Sequence, residues 1–155
     1  MATELKPSEE RAWRAFLDAQ AALLRLLEAE LVEKEDMTLG EFDVLIQLKM
    51  APERRLRMTE LSERVRLSRS GLTRLVDRLV QAGLVERGRC ASDRRGTFAI
   101  LTTAGTSRVR HAQPVHLRGI REHFGKRLSA AQLSAVAEAL EPLGRDVPPE
   151  AGGAG

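Results

Sequence analysis

The 155-residue chain is 43% apolar, and with four Phe, one Trp and no Tyr its core must be built mainly from Leu, Val and Ala. A single cysteine excludes an internal disulfide. No apolar run approaches the roughly 18 residues that a membrane span needs, and MATELKPSEE lacks the apolar stretch of a signal peptide, so a soluble, cytoplasmic protein with no membrane partner is expected.

Residues 8–34 read as one long helix. Trp13, Phe16, Leu17, Leu24, Leu27 and Leu31 recur at helical spacing, and Pro7 and Ser8 suit its start. Thr38 with Glu41 at N3 makes a capping box for a second helix, with Met37 and Phe42 in staple positions. Phe42, Leu45, Ile46 and Met50 are expected to face inward, and Ala51, Pro52 and Glu53 end the helix. Arg57 and Met58 read as a very short strand. A short helix over about 59–65 carries Leu61 and Val65 on one face. Ser68 is a good N-cap for a helix over 69–82 whose buried stripe is Leu72, Val76 and Leu79, flanked by Leu75 and Val80. Gly83 stands where a left-handed residue would end it.

Leu84 to Arg87 and Thr97 to Leu101 read as two strands joined by a turn region, Gly88 to Gly96. Thr102 or Thr103 starts another long helix reaching about Phe124. Pro114 inside it predicts a bend or a break. Ser129 and Gln132 form a further capping box for a last helix that runs to about Leu140, limited by Pro142. A frayed tail is expected over 142–155.

Two short helices joined by a tight turn describe a helix-turn-helix, and the following hairpin makes it winged. With the apolar stripe packed inward, the second of the two helices exposes Arg69, Ser70, Thr73, Arg74 and Asp77. Its N-terminal end is the one that enters the major groove in this motif, and its free N–H groups can hold a phosphate. Charge agrees with this placement. The net charge of +3 hides a segregation: residues 1–53 carry 6 basic and 12 acidic side chains, while residues 54–95 carry 12 Arg and 5 acids. Arginine's planar donor fork suits phosphates and base edges, so the middle third points to a polyanion on one face. The plain alternatives are a solvated charged surface and a helical hairpin used for protein contacts.

MTELSERVRLSRSGLTRLVDRLVQAGLVER and DRRGTFAILT closely resemble the MarR family of winged helix-turn-helix transcription regulators. Members carry Asp-x-Arg, five further residues, then Leu-Thr; here these are Asp93, Arg95, Leu101 and Thr102. The resemblance implies a mainly α fold with a small β-hairpin wing (α+β), one domain over 1–155. Within it, 38–101 would be the DNA-binding lobe, and 8–34 and 103–141 the dimerisation helices. It implies a homodimer that binds double-stranded DNA at a pseudo-palindromic operator, most simply as a ligand-responsive repressor. Ser68, Arg69, Ser70, Thr73, Arg74 and Asp77 would serve the major groove. Asp93 would hold the wing through Arg95, and Arg95 or its neighbour Arg94 would reach the minor groove, where narrowness concentrates negative potential.

Relatives commonly respond to small aromatic or phenolic compounds in a cleft beside the dimerisation helices. Trp13, Phe16 and Asp43 are the candidates for such a cleft, although Trp13 and Phe16 at helical spacing read first as core or interface residues. Cys90 stands among arginines at the wing base and reads as a surface cysteine. His111, His116 and His123 share a helix without the i,i+4 spacing of a two-ligand metal site. No nucleotide-binding, hydrolase or metal-spaced cysteine motif is present, so neither a cofactor nor catalysis is expected. A transcriptional activator, or a protein-binding winged-helix adaptor without operator specificity, stands as the alternative.

Overall fold

A computed structural model describes residues 4–65, 67, 69–90 and 93–145. In chain order the elements are α1 (Pro7–Glu35), α2 (Leu39–Met50), β1 (Arg55–Arg57), α3 (Met58–Val65), α4 (Arg69–Gln81), β2 (Val85–Cys90), β3 (Asp93–Leu101), α5 (Thr103–His123) and α6 (Ala130–Arg145). Single 3₁₀ turns lie at Pro52–Arg54 and Gly125–Arg127. None of the described helices is long and apolar enough to cross a membrane.

The core lies between α2, α3, α4, the sheet and the first half of α5. Leu45, Leu48, Leu61, Leu72, Val76, Val85, Ala99 and Val109 are all essentially sealed from solvent and belong to one cluster. α1 joins this cluster only through its C-terminal end, at Leu31. Leu27 is buried as well, but Trp13, Phe16, Leu17 and Leu24 are exposed in the single chain. The apolar stripe is therefore real, and only its last turns are covered.

Helix ends are fastened across elements. Thr38 Oγ1 accepts the Glu41 N–H at 3.1 Å while the Glu41 carboxylate accepts the Thr38 N–H at 2.9 Å. Glu28 of α1 accepts the Leu39 N–H at 2.5 Å, adding negative charge at the positive end of α2. At the C-terminal end of α1, Asp36 adopts a left-handed conformation (φ 48°). Arg108 of α5 donates to the freed Glu35 and Asp36 carbonyls. Lys49 of α2 donates to Gln113 of α5 at 2.8 Å, and Arg54 donates to the buried Thr106 hydroxyl at 3.1 Å. α5 is thus tied to the first helix and to the lobe at several points.

The sheet is antiparallel with strand order β1-β3-β2. Both hairpin strands are longer than the residue pattern predicts. Much of the turn-like stretch from Gly88 to Gly96 is strand, because β2 runs on to Cys90 and β3 begins at Asp93. Pro114 does not break the pattern into two helices; α5 is continuous through it. The proline ring stands on the exposed side, where water can satisfy the carbonyl whose partner N–H is missing. Likewise α6 continues through Pro142 to Arg145, on an exposed last turn. The capping box of α6 forms, with Ser129 N–H to Gln132 Oε1 at 2.9 Å and Gln132 N–H to Ser129 Oγ at 3.2 Å. The tail beyond Arg145 lies outside the described residues.

Candidate nucleic-acid interface

α3 and α4 form the helix-turn-helix, with the Ser62 hydroxyl donating to the Leu67 carbonyl at 3.2 Å across the turn. α4 divides cleanly. Leu72, Leu75, Val76 and Leu79 are buried, and the opposite face presents Ser70, Thr73, Arg74, Asp77 and Arg78 to solvent. This follows from the 3.6-residue period: apolar positions at 72, 75, 76 and 79 claim one stripe and turn the polar ones outward. The Arg74 guanidinium lies back along the helix, its Nε 3.4 Å from the Ser70 carbonyl oxygen. Of the other expected groove residues, Ser68 lies outside the described residues, and Arg69 is described as the first residue of α4 only in its backbone.

The wing stands beside this helix. In β2, Val85, Arg87 and Arg89 share one face of the strand, opposite Leu101, Ala99 and Thr97 of β3. Val85 and Ala99 are buried, so this is the face turned toward the helices. Arg87 therefore reaches α4, and its Nη2 lies 2.8 Å from Asp77 Oδ1. On the outer face, the Arg55 and Arg57 guanidinium groups lie 5.1 Å and 5.8 Å from the centre of the Phe98 ring, and Arg55 also pairs with Glu53 at 2.6 Å. Asp93, Arg94 and Arg95 are placed as the first residues of β3, at the far end of the hairpin; their side chains lie outside the described part, as does that of Cys90.

The Leu-Thr pair that closes the wing has a defined structural task. Thr102 Oγ1 accepts the Gly105 N–H at 3.0 Å, capping α5, and donates to the Gly83 carbonyl at 2.8 Å. Gly83 follows the end of α4 with φ 74°, a conformation that disfavours any side chain. Gly105 is fixed by proximity: a Cβ there would come within 2.6 Å of Leu101 Cδ1 and closer still to the Leu84 carbonyl oxygen. The end of α4, the end of β3 and the start of α5 are thus joined at one polar node.

The residues expected to line an effector cleft are not brought together within one protomer. Trp13 and Phe16 are neighbours on exposed α1, with ring centroids 6.0 Å apart. Asp43 sits on α2, whose N-terminus meets α1 at Glu28. Fifteen helical residues separate Trp13 from Glu28, about 22 Å along the axis. Two of the histidines have packing roles. His116 lies against Phe42 with ring centroids 4.4 Å apart, and burial holds its imidazole below the ordinary pKa. His123 pairs with Glu30 of α1 at 2.7 Å. Among the described residues, no group of His, Cys, Asp and Glu is arranged to hold a metal ion.

Sequence reasoning missed Arg87 as the partner of Asp77. The signal was present only as the period of the strand: Arg87 is two residues beyond the apolar Val85 and so falls on the same face.

Comparison with known proteins agrees with this geometry. A model of the MarR family matches residues 35–96, the span from the end of α1 to the wing. The DNA-bound structure of Sco3205, a MarR family transcriptional regulator from Streptomyces coelicolor, superposes with a TM-score of 0.89 at 33% identity, covering 97% of this chain and 94% of that one. The chain belongs to the MarR family. A second MarR regulator of that organism, AbsC, gives a TM-score of 0.85 at 33% identity, covering 93% of this chain and 97% of its own. The HTH-type transcriptional repressor YetL of Bacillus subtilis (strain 168) is 35% identical over 81 residues, 52% of this chain; the match spans about half of YetL's own length, 48%. Membership of the MarR family extends over the outer helices as well as the lobe, since the Sco3205 superposition takes in nearly the whole chain.

Proposed function

We propose that this MarR-family chain is a homodimeric, sequence-specific DNA-binding repressor of transcription. The observation that carries the reading is the division of α4: its apolar stripe is sealed in the core, and Ser70, Thr73 and Arg74 stand outward beside an arginine-bearing hairpin. In this arrangement α4 enters the major groove, with Arg69, Ser70, Thr73 and Arg74 in its N-terminal half and Ser68 just before it in the chain. Ser and Thr are short enough to let the helix backbone approach, and the helix N-terminus attracts phosphate. The hairpin tip with Asp93, Arg94 and Arg95 lies along the adjacent minor groove, where arginine gains from the concentrated negative potential.

The exposed leucines and Trp13 of α1, with Leu140 and Leu143 of α6, are the faces that a second copy covers. A two-fold dimer places two recognition helices on half-sites about one helical turn, roughly 34 Å, apart. Bound there, the dimer blocks a promoter. A small aromatic or phenolic effector acts by changing the separation or tilt of the two recognition helices.

The test is selection of bound duplexes from a random DNA library, followed by affinity measurement over a range of salt concentrations. The expected result is a consensus with two-fold symmetry and an affinity that falls steeply as salt rises, because phosphate contacts release counterions. Equal affinity for the selected duplex and its scrambled version would end the proposal.

A further inference from the structure

Asp77 raises a physical problem for a DNA-binding face. It is an acidic residue on the exposed side of the recognition helix, where a fixed negative charge opposes approach to phosphates. It also sits well back from the N-terminal turn, eight residues beyond Arg69, or about 12 Å along the axis. Its carboxylate is occupied: Arg87 Nη2 lies 2.8 Å from Oδ1. We infer that Asp77 is a positioning residue that touches no DNA itself and, by gripping Arg87, sets the wing at a fixed distance and angle from the recognition helix. This inference rests on the DNA-binding reading above.

Three features of the structure support it. First, Arg87 lies on the helix-facing side of β2, in line with buried Val85 and opposite buried Ala99, so the ion pair connects the two DNA-reading elements directly. Second, the regular pairing of β2 with β3 ends soon after Arg87, where the strand register shifts between Arg89 and Cys90. A fastening at Arg87 therefore holds the hairpin just before this irregularity begins. Third, the side chains of Arg87 and Asp77 remain 31% and 54% exposed. A pair this open to solvent contributes little to folding stability. Its effect lies in where it holds the strand, because two grooves must be met at once and a phosphate or minor-groove contact specifies register only if its carrier is placed correctly.

Charge and geometry make opposite predictions, which gives a sharp experiment. Asp77→Asn keeps the size of the side chain and removes one negative charge from the DNA-facing surface. Acting through charge alone, it would tighten DNA binding. Acting through position, it loosens it. Wild type, Asp77→Asn, Arg87→Gln and the double variant are compared on the selected operator at several salt concentrations, with hydroxyl-radical footprints and thermal melts. The expected result is that each single variant binds on the order of tenfold more weakly, comparable to losing one base contact. The double variant should be no worse than either single one, since both remove the same strut. In Asp77→Asn, protection at the minor groove should fade while protection at the major groove persists, the salt dependence should become no steeper than that of wild type, and melting temperatures should stay together. Asp77→Asn binding as tightly as wild type or more tightly, or losses that add in the double variant, would overturn the inference while leaving the DNA-binding reading intact. A wild type that cannot distinguish its operator from scrambled DNA would remove both.

Discussion

The lobe from Thr38 to Leu101 and the long helix before it use the same chemistry to different ends. In the lobe, leucines at helical spacing find cover inside the chain: Leu61 is 0% exposed. In α1 the same spacing leaves Trp13 56% and Leu24 46% exposed, and only Leu27 and Leu31 close against the rest of the molecule. Amphipathic patterning thus says that a face requires cover, without saying which chain supplies it. The lobe closes its apolar faces within the chain, and most of the α1 stripe is left uncovered by it.

The difference can be broken in a graded series of experiments. Leu61→Ala should produce the largest effect, a loss of roughly 2–5 kcal/mol in urea unfolding, because a sealed site cannot collapse around the missing atoms. Leu24→Ala, measured alongside at a concentration where the protein is monomeric, should change unfolding by less than about 1 kcal/mol. Equal losses would erase the distinction. Next in size, Trp13→Glu combined with Leu24→Glu should convert the wild-type dimer to monomer in sedimentation at micromolar concentration, with helical circular dichroism retained. A dimer that survives both charges would place the self-association surface elsewhere.

On the lobe itself, Arg95→Ala should weaken operator binding by more than about tenfold at fixed salt, equivalent to about 1.4 kcal/mol, and Arg94→Ala by less. Similar affinities for wild type and Arg95→Ala would remove that arginine from the minor groove. The smallest effect concerns His116, where α5 meets α2 against Phe42. Burial lowers its pKa from the ordinary 6.5, so as the pH falls the unfolded chain takes up the proton before the folded one does. The stability conferred by the neutral ring is complete above that ordinary value and diminishes as the pH drops toward the lowered folded value. The melting temperature should therefore decline between pH 7.5 and 5.5, and His116→Leu should flatten that decline. Parallel curves for the two proteins would assign the pH response to other groups.

Much of the lobe could be read from residues alone. The Thr38–Glu41 box, the Leu72–Val76–Leu79 stripe and the Gly83 terminus are local features, and local rules describe them. The hairpin was read too short because Gly88 resembles turn punctuation, yet it pairs with Phe98 inside the sheet, with the Ile100 side chain close over the space a Cβ would take. Pro114 and Pro142 read as breaks, but each stands at an exposed position, where water can reach the carbonyl left without its partner. Asp77 read as a groove residue from its helix face. Its link to Arg87 depends on how β2 lies over α4, which no window of either segment contains. Trp13 and Asp43 fall on different helices, and their relation depends on where α1 meets α2, at Glu28, which no window of either helix contains.

The node at Thr102 has a mechanical consequence. One hydroxyl oxygen starts α5 and holds the end of α4, and its own backbone continues directly from the returning wing strand. Between Leu101 at the end of β3 and Thr103 at the start of α5 stands Thr102 alone, so α5 joins the wing strand and the end of α4 without an intervening loop. A small turn of α5 about its axis is therefore delivered to helix and hairpin together, as a crank moves two rods from one pin.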